Sequence, residues 1–331
     1  MRAPAFWYPK GLAQAGWLAW LLAPAMLLVR AAGWLRQRLA RPYRAPIPVI
    51  CVGNLTVGGA GKTPTVLALA ARLRSAGINV HCLSRGYGGS HHGPLRVDPG
   101  KHTSADVGDE PLLLARTAPA WVARNRKQGA MAAVAAGAAL LLLDDGHQNP
   151  QLVKDVSLLL VDTQRGTGNG WTLPSGPMRE PLRRALARAD AVLLVGGGGC
   201  ATVEQAARRC AIPVLRAEKA ALGGAALAGL RLLAFSGIAS PEQFFDMLGA
   251  LGAKLIGAEK FSDHHPFTDA ELDALLFRAK AAGAELITTE KDLMRLPQHF
   301  REQVRTLAIE MRFTDEAALQ QALAPALARL R

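Results

Sequence analysis

Short apolar runs alternate with segments of helical spacing along most of this chain. Residues 47–52 form a β-branched run, and residues 64–76 then place Leu67, Leu69 and Leu73 at helical spacing. Further apolar runs of strand length follow at residues 78–83, 138–143, 157–161 and 191–195. Strands that alternate with helices in this way predict an α/β fold with a doubly wound, mostly parallel sheet.

The pattern breaks at the glycine-rich residues 196–199 and then restarts. Beyond the break, Ser240 and Thr268 each precede a helical pattern and predict helix N-caps, the second within a capping box. We therefore expect a core in residues 45–200 and a smaller α/β lobe in residues 201–331 that closes over the active site.

Residues 1–44 are both hydrophobic and basic. Residues 11–29 carry no charge, and no acidic residue precedes Asp98, whereas twelve Lys or Arg residues do. Much of the formal net charge of +13 is therefore concentrated toward this end, together with Trp17, Trp20 and Trp34. Tryptophan and arginine are typical of helices that lie at an anionic membrane surface. We expect a membrane-associated helix here, with a single-pass anchor and a cleaved signal peptide as alternatives.

The remaining composition narrows the functional class. Aromatic residues make up 5% of the chain, which is too few for a platform that stacks single-stranded bases, so we expect no nucleic-acid partner. The four cysteines show no paired metal-binding spacing and indicate reduced thiols in the cytoplasm. We infer no obligate protein partner from the sequence.

A glycine-rich loop lies between the first predicted strand and the first predicted helix of the core. It reads Thr56-Val57-Gly58-Gly59-Ala60-Gly61-Lys62-Thr63-Pro64. In such a P-loop the backbone N–H groups surround nucleotide phosphates, Lys62 stabilises the outer phosphates during catalysis, and Thr63 holds Mg²⁺. Thr56 stands where the usual motif begins with glycine. The loop predicts a phosphotransferase that binds ATP and Mg²⁺.

Asp144 and Asp145 end an apolar run and have the position of a Walker-B element, whose carboxylates complete a Mg²⁺ shell. A helix cap or a turn is the alternative interpretation. Asp109-Glu110, Asp263-His264-His265 and Arg126 are further polar candidates, but each by itself is a weak signal.

Eight ordered motifs together resemble one known family, the tetraacyldisaccharide 4'-kinases. The first four are Phe6-Trp7-Tyr8, the P-loop with Val52-Gly53-Asn54 before it, Ser84-Arg85-Gly86-Tyr87-Gly88 and Gly108-Asp109-Glu110-Pro111. The other four are Asp144-Asp145-Gly146, Leu173-Pro174-Ser175-Gly176-Pro177 with Arg179-Glu180-Pro181, Phe261-Ser262-Asp263-His264-His265 and Thr289-Glu290-Lys291-Asp292. The family commonly has threonine at the position of Thr56.

The resemblance implies transfer of the ATP γ-phosphoryl group to the 4'-hydroxyl of a tetraacylated glucosamine disaccharide 1-phosphate, in lipid A biosynthesis. It implies Asp109 as the base and His264 as its orienting partner, with His265 as the alternative. It also implies that the protein acts at the cytoplasmic face of the bacterial inner membrane. The further residues that it implies are Tyr87 and Arg126 for the substrate, and Glu180 beside Asp144, Asp145 and Thr63 for the metal.

The chain departs from the family pattern just after the paired aspartates. Where the family commonly has Asp-Asp-Gly-Phe-Gln-His, this sequence has Gly146-His147-Gln148-Asn149 after Asp144-Asp145. A phosphate contact from the terminal histidine therefore does not carry over. One hypothesis is that His147 replaces it from two positions away.

Two rival functions share parts of these signals. A P-loop GTPase or metallochaperone-like switch protein would have the same loop and strand-end aspartate, but no Asn-Lys-x-Asp guanine motif is evident. A nucleic-acid-binding protein would use the basic N-terminal region, but that region mixes its charges with apolar runs and lacks interleaved aromatics.

Overall fold

The computed structural model describes residues 4–9 and 16–330. Near the N-terminus, helix α1 (Trp17–Leu21) is followed by helix α2 (Ala23–Leu39). The beginning of the predicted apolar segment, residues 11–15, lies outside the described residues. None of the helices in the described ranges combines the length and the hydrophobicity that are needed to cross a bilayer.

The strands and helices of the core follow the predicted alternation. In chain order they are β1 (Val49–Asn54), α3 (Lys62–Ser75), β2 (Val80–Ser84), β3 (Leu95–Arg96), α4 (Ser104–Val107), α5 (Asp109–Ala115), β4 (Ala120–Val122), α6 (Arg126–Ala135), β5 (Leu140–Asp144), β6 (Val156–Asp162), α7 (Leu182–Leu186) and β7 (Ala191–Val195).

The C-terminal part continues with α8 (Ala201–Arg209), β8 (Val214–Leu222), β9 (Arg231–Ser236), α9 (Pro241–Ala250), β10 (Lys254–Lys260), α10 (Asp269–Ala281), β11 (Glu285–Thr289), α11 (Glu290–Leu293), α12 (Gln298–Arg301), β12 (Arg305–Phe313) and α13 (Glu316–Leu327). Thr268 caps α10 through the predicted box with Glu271. Ser240 stands at the N-cap of α9, but its side chain forms no cap bond there, and the Gln243 side chain bonds to Lys219 and Gln164.

The strands of the described residues form one sheet in the order β10-β9-β11-β12-β8-β7-β6-β1-β5-β2-β4-β3. Neighbouring strands are parallel except for the pairs β12 with β8 and β3 with β4. The prediction of a mostly parallel α/β sheet is confirmed. Because β8 pairs with both β7 and β12, the sheet runs without interruption from the predicted core into the predicted C-terminal lobe.

Burial explains why the central strands were readable as apolar runs. Strands β1, β5, β6 and β7 are buried along their whole length, since helices cover both faces of a parallel sheet. Side chains from α3, α5 and α13 pack on one of these faces in a single large hydrophobic cluster. Polar side chains that follow β1 and β5 therefore meet at one edge of the sheet.

Candidate active site

The P-loop follows strand β1 and leads directly into helix α3. Asn54, the last residue of the strand, donates its side-chain amide to the Gly58 carbonyl oxygen at 3.1 Å. Gly58 has a φ of 112°, and Gly61, the N-cap of α3, has a φ of 90°. A Cβ atom strains the backbone at such angles, so both positions favour glycine. The loop amides lead into the α3 N-terminus, which stabilises phosphate.

The first residues of the P-loop are bonded to Pro177 and Met178, which come just before Arg179 in the chain. Thr56 is buried and forms an isolated antiparallel bridge with Met178, and the Val57 amide donates to the Pro177 carbonyl oxygen at 2.9 Å. Thr56 therefore contributes packing at the position where the usual motif has glycine.

Asp144 ends strand β5 beside Thr63 in the first turn of α3. The Thr63 hydroxyl donates to Asp144 Oδ2 at 3.2 Å. The other oxygen, Oδ1, is buried and has no hydrogen-bond partner among the residues described. Burial, together with the nearby charge of Glu110, raises the pKa of Asp144 to about 7. A buried carboxylate with an unused oxygen beside a hydroxyl fits Mg²⁺, which prefers oxygen ligands.

Asp145 faces the P-loop lysine. Its Oδ2 atom accepts a hydrogen bond from Arg179 at 3.1 Å and lies 3.8 Å from the Lys62 ammonium. Burial raises the pKa of Asp145, but the positive charges of Lys62 and Arg179 outweigh this effect and hold the pKa below its usual value. Asp145 is therefore ionised at neutral pH and attracts the Lys62 ammonium toward the strand end.

Glu180 is engaged by other side chains. Both of its carboxylate oxygens accept hydrogen bonds from Arg188, and Oε1 also accepts one from Gln148 at 3.1 Å. The Gln148 amide in turn donates to the Asn54 carbonyl oxygen at 3.2 Å. A direct metal bond from Glu180 would have to use a lone pair that Arg188 and Gln148 leave free, so its role as a metal ligand stays a prediction.

Asp109 lies at the start of α5, where Gly108 allows the backbone of Tyr87 to come close. A Cβ atom on Gly108 would lie 2.4 Å from the Tyr87 carbonyl oxygen. The Asp109 carboxylate is 2% exposed, and its Oδ1 atom accepts the Glu110 amide at 2.8 Å. Its Oδ2 atom lies 3.0 Å from His264 Nδ1. Two residues that are 155 positions apart in the chain thus form a direct pair.

The backbone of His264 is also unusual. Its φ is 59°, which is uncommon for a residue other than glycine and is typical of functional sites. Its amide donates to the Gly237 carbonyl oxygen at 3.0 Å. The neighbouring His265 instead lies 3.0 Å from Glu271 of helix α10. Of the two histidines, His264 is therefore the one that is paired with Asp109.

Tyr87 and Arg126 differ sharply in exposure. The Tyr87 ring is 65% exposed, and its centroid lies 5.1 Å from that of His264, so it is accessible to an incoming molecule. Arg126 begins α6 and is 2% exposed. Burial lowers the pKa of Arg126 to about 10, while the charges of Asp145 and Asp144 oppose this effect. Its Nε atom is buried without a partner in the described part of the chain, which fits an anionic ligand.

Two cations from the C-terminal lobe complete the site. The Lys291 ammonium lies 3.0 Å from Glu110 Oε1, and Arg295 Nε lies 3.3 Å from Asp109 Oδ2. Burial raises the pKa of Asp109, but the hydrogen bond from His264 and the charges of Lys291 and Arg295 outweigh it and lower this pKa overall. The sequence assigned neither cation a role. The motif at residues 289–292 is the signal that points to Lys291, whereas no motif marks Arg295.

His147 lies in the protein interior. Its Nε2–H donates to the Ala185 carbonyl oxygen at 3.1 Å, and its Nδ1 accepts from the Ser157 hydroxyl at 2.8 Å. Burial, aided by the charges of Arg188 and Lys154, lowers the pKa of His147 to about 3. The hypothesis that His147 replaces the missing family histidine as a phosphate contact is wrong, because both of its ring nitrogens are already bonded in the core.

A P-loop on a mostly parallel sheet, with the Thr63 hydroxyl bonded to Asp144 at the end of β5 and with an Asp109–His264 pair, is the arrangement of a nucleotide-dependent phosphotransferase. The chain matches the family model described as Tetraacyldisaccharide-1-P 4'-kinase over residues 18–328. This protein belongs to that family, and the resemblance seen in the sequence is confirmed.

Relatives match the chain over nearly its full length. It is 54% identical over 330 residues to the tetraacyldisaccharide 4'-kinase of Rhodospirillum centenum, a match that covers 99% of this chain and 97% of the relative. The kinase of Dinoroseobacter shibae is 48% identical over 98% of this chain and 97% of its own length. The crystal structure of LpxK from Aquifex aeolicus in complex with ATP is similar with a TM-score of 0.73 and 28% identity, over 93% of this chain and 99% of that one.

Proposed function

We propose that this protein transfers the γ-phosphoryl group of ATP to the 4'-hydroxyl of a tetraacylated glucosamine disaccharide 1-phosphate. Membership of the kinase family and the likeness to an ATP-bound relative support this reaction. In this chain, the proposal is carried by the Asp109–His264 pair and by its proximity to Asp144, since Glu110, next to Asp109, is near enough to help raise the pKa of Asp144. A switch protein that only hydrolyses GTP needs no such base for an acceptor alcohol.

The donor half of the site would hold ATP and Mg²⁺. Thr63 and Asp144 would hold the ion, because their oxygens lie together and Asp144 Oδ1 is free for a ligand. Mg²⁺ bound there would neutralise charge on the phosphate oxygens. Lys62, at the start of α3 and near Asp145, would stabilise the outer phosphates. Asp145 would orient Lys62 or bind the ion through water.

The acceptor half would use Asp109 as the proton acceptor for the 4'-hydroxyl. Its lowered pKa keeps it ionised at neutral pH, so it is ready to accept a hydrogen bond from an alcohol. A carboxylate of this kind is a weak base, but phosphoryl transfer passes through a loose transition state in which the proton moves late. His264 Nδ1–H would hold the carboxylate in place. Exposed Tyr87 would contact the sugar, and Arg126 would contact phosphate.

The N-terminal helices would bring the protein to its lipid substrate, at the cytoplasmic face of the bacterial inner membrane. Helices α1 and α2 leave large apolar side chains in solvent, among them Trp17 at 73%, Leu28 at 72% and Leu39 at 71% exposure. Arg30, Arg36 and Arg38 lie on the same helix α2 as the last two. This combination supports insertion into an anionic lipid surface, as a monotopic protein or with one N-terminal anchor.

The direct experiment supplies γ-labelled ATP, Mg²⁺ and an acylated glucosamine disaccharide 1-phosphate in mixed micelles. We expect label on the lipid at the 4' position, as identified by mass spectrometry of the product. Lys62→Ala should abolish the transfer, because it removes the cation from the β- and γ-phosphates. Preference for GTP, or hydrolysis without transfer to the lipid, would contradict the proposal.

A further inference from the structure

Lys291 lies between Glu110 and His264 in the acceptor half of the site. Its ammonium is 3.0 Å from Glu110 Oε1 and 3.4 Å from His264 Nε2, the ring nitrogen opposite the one that meets Asp109. Burial lowers the pKa of Lys291, but the negative charges of Glu110, Asp109 and Asp263 outweigh it and raise this pKa overall. Lys291 is therefore an ammonium at neutral pH, which donates hydrogen bonds and accepts none.

The short helix that carries Lys291 is tied to the loop that carries His264. Asp292 Oδ2 accepts the Ser236 hydroxyl at 2.8 Å, and Oδ1 accepts the Gly237 amide at 3.0 Å. The Gly237 carbonyl oxygen in turn accepts the His264 amide at 3.0 Å. Asp292 is 0% exposed, so these bonds are shielded from water. The position of Lys291 relative to His264 is consequently held through the backbone.

The partners of the two ring nitrogens determine where the single proton of a neutral imidazole lies. Nδ1 faces the Asp109 carboxylate, which only accepts hydrogen bonds, and Nε2 faces the Lys291 ammonium, which only donates them. Both contacts are satisfied together when Nδ1 carries the proton and Nε2 carries the lone pair. Asp263 Oδ1, at 3.8 Å from Nε2, is the group that would favour a proton there instead.

We propose that Lys291 is a positioning residue that holds His264 as the Nδ1–H tautomer and thereby keeps its hydrogen bond to Asp109. This inference rests on the proposed roles of Asp109 and His264. Asp109, Glu110 and His264 form a cluster in which one carboxylate oxygen or ring nitrogen of each lies within 4.8 Å of the others. The Lys291 ammonium contacts two of these residues, Glu110 and His264. In its absence Nε2 takes the proton and faces Asp263, and the Asp109 carboxylate loses its orienting donor.

The first test is steady-state kinetics of the full-length enzyme. Lys291→Ala should lower kcat on the order of 10²-fold, because a misplaced catalytic group costs about this much, while KM for ATP stays within about twofold. Methylammonium or ethylammonium in the buffer should restore part of the lost activity, and Lys291→Arg should keep more activity than Lys291→Ala. The matched control is Lys260→Ala, which removes a surface Lys–Glu pair of 2.9 Å from the same lobe and should leave kcat unchanged.

A double-mutant cycle separates this inference from the function on which it rests. If Lys291 acts through His264, Lys291→Ala should cost almost nothing further in a His264→Ala background. Additive losses, or a normal kcat in Lys291→Ala alone, would overturn the role of Lys291 while leaving the Asp109–His264 pair intact. Full activity of His264→Ala would instead refute the proposed pair itself.

A spectroscopic measurement covers the case in which Lys291→Ala does not fold. Nitrogen chemical shifts of ¹⁵N-histidine-labelled wild-type protein distinguish the two tautomers, and the His264 signals are assigned by their loss in His264→Ala. We expect the Nδ1–H pattern for His264. An Nε2–H pattern would contradict the inference.

Discussion

At the residue scale, the candidate active site consists largely of acidic side chains that each lie close to a basic side chain. Asp145 lies near Lys62, and Asp109 contacts His264. Asp144 differs, because burial and the nearby negative charge of Glu110 raise its pKa to about 7. A buried carboxylate without a compensating charge favours protonation or a metal ion. The same residue type therefore stands in three different electrostatic environments, and the neighbours of each aspartate decide the direction of its pKa shift.

The first prediction at this scale concerns Asp109. Asp109→Asn should lower kcat on the order of 10²-fold or more, since an amide cannot accept the proton of the acceptor hydroxyl. KM for ATP should change little, because the Asp109 carboxylate is engaged by the Glu110 amide, His264 and Arg295. The matched control is Asp106→Asn in the capping box of α4, which should lower stability slightly and leave kcat unchanged. Equal loss of ATP affinity in Asp109→Asn would move this residue out of the acceptor half.

The second prediction follows from the raised pKa of Asp144, which is about 7 against an ordinary 3.8. A folded-state pKa above the unfolded value means that the folded protein binds the proton more tightly. The metal-free protein should therefore lose the contribution of this group to stability as the pH rises from about 4 through 7. Mg²⁺ has to displace that proton, so its affinity should fall about tenfold from pH 8 to pH 6.

Calorimetric titration of Mg²⁺ into the nucleotide-free protein at both pH values measures this difference. Asp144→Asn provides the control, since it removes the titrating group and should abolish the pH-dependent part of binding. Identical Mg²⁺ affinities of the wild-type protein at pH 6 and pH 8 would contradict the assignment of Asp144.

At the element scale, two short segments carry most of the geometry. The P-loop connects β1 to α3 and ends in the left-handed Gly61. Residues 289–292 span the end of β11 and the start of α11, where Thr289 caps the helix and Asp292 holds the loop of His264 through Gly237. In both segments a strand leads into a helix, so polar groups at the helix start are presented at the edge of the sheet.

The prediction at this scale compares two glycines with positive φ. Gly61→Ala should destabilise the protein and weaken ATP binding, because φ is 90° and the new Cβ would lie 3.0 Å from Met311. Gly77→Ala provides the matched control, with φ of 81° but nothing within 4 Å of the new Cβ. The backbone cost should be about 1–2 kcal/mol in both, measured by chemical denaturation.

ATP affinity should distinguish the two variants. We expect it to fall only in Gly61→Ala, where the strained residue belongs to the phosphate loop. If both variants bind ATP like the wild type, the left-handed turn at Gly61 is not needed to shape that loop.

At the scale of the whole molecule, the site joins residues that are far apart in the chain. His264, Lys291 and Arg295, from the C-terminal part of the sheet, meet Asp109 and Glu110 at the start of α5. The C-terminal part thus supplies partners of both acids. Helices α1 and α2, which expose apolar side chains, lie near the N-terminal end of the sequence. The ring of Trp20 in α1 packs on that of Trp171, with 4.7 Å between the ring centroids.

The prediction at this scale concerns membrane attachment. The double variant Trp17→Ala/Trp34→Ala should bind vesicles with anionic lipids about tenfold more weakly, since each exposed indole loses its place in the interface. Its KM for micellar lipid substrate should rise, while KM for ATP stays the same. Phe277→Ala is the matched control because Phe277 is 74% exposed on α10, away from this region of the chain. Unchanged vesicle sedimentation of the Trp double variant would refute the proposed attachment.

The sequence by itself determined the α/β fold class and the P-loop. The run predicted at residues 191–195 coincides with β7, because strands buried on both faces leave an uninterrupted apolar signal. The loop from Gly58 to Thr63 could also be predicted from the sequence, because phosphate binding needs these residue types at fixed local spacing. Segments with an alternating pattern or only two residues, such as β10 and β3, gave no comparable signal.

Only the tertiary structure decided which polar residues act together. His264 and His265 are chemically identical neighbours, yet one meets Asp109 and the other meets Glu271. Lys291 reaches Glu110 across 181 positions of the chain, and His147 is bonded inside the core. Local spacing encodes helices, strands and loops, whereas contacts between distant polar side chains arise only when the sheet and the two lobes have been assembled.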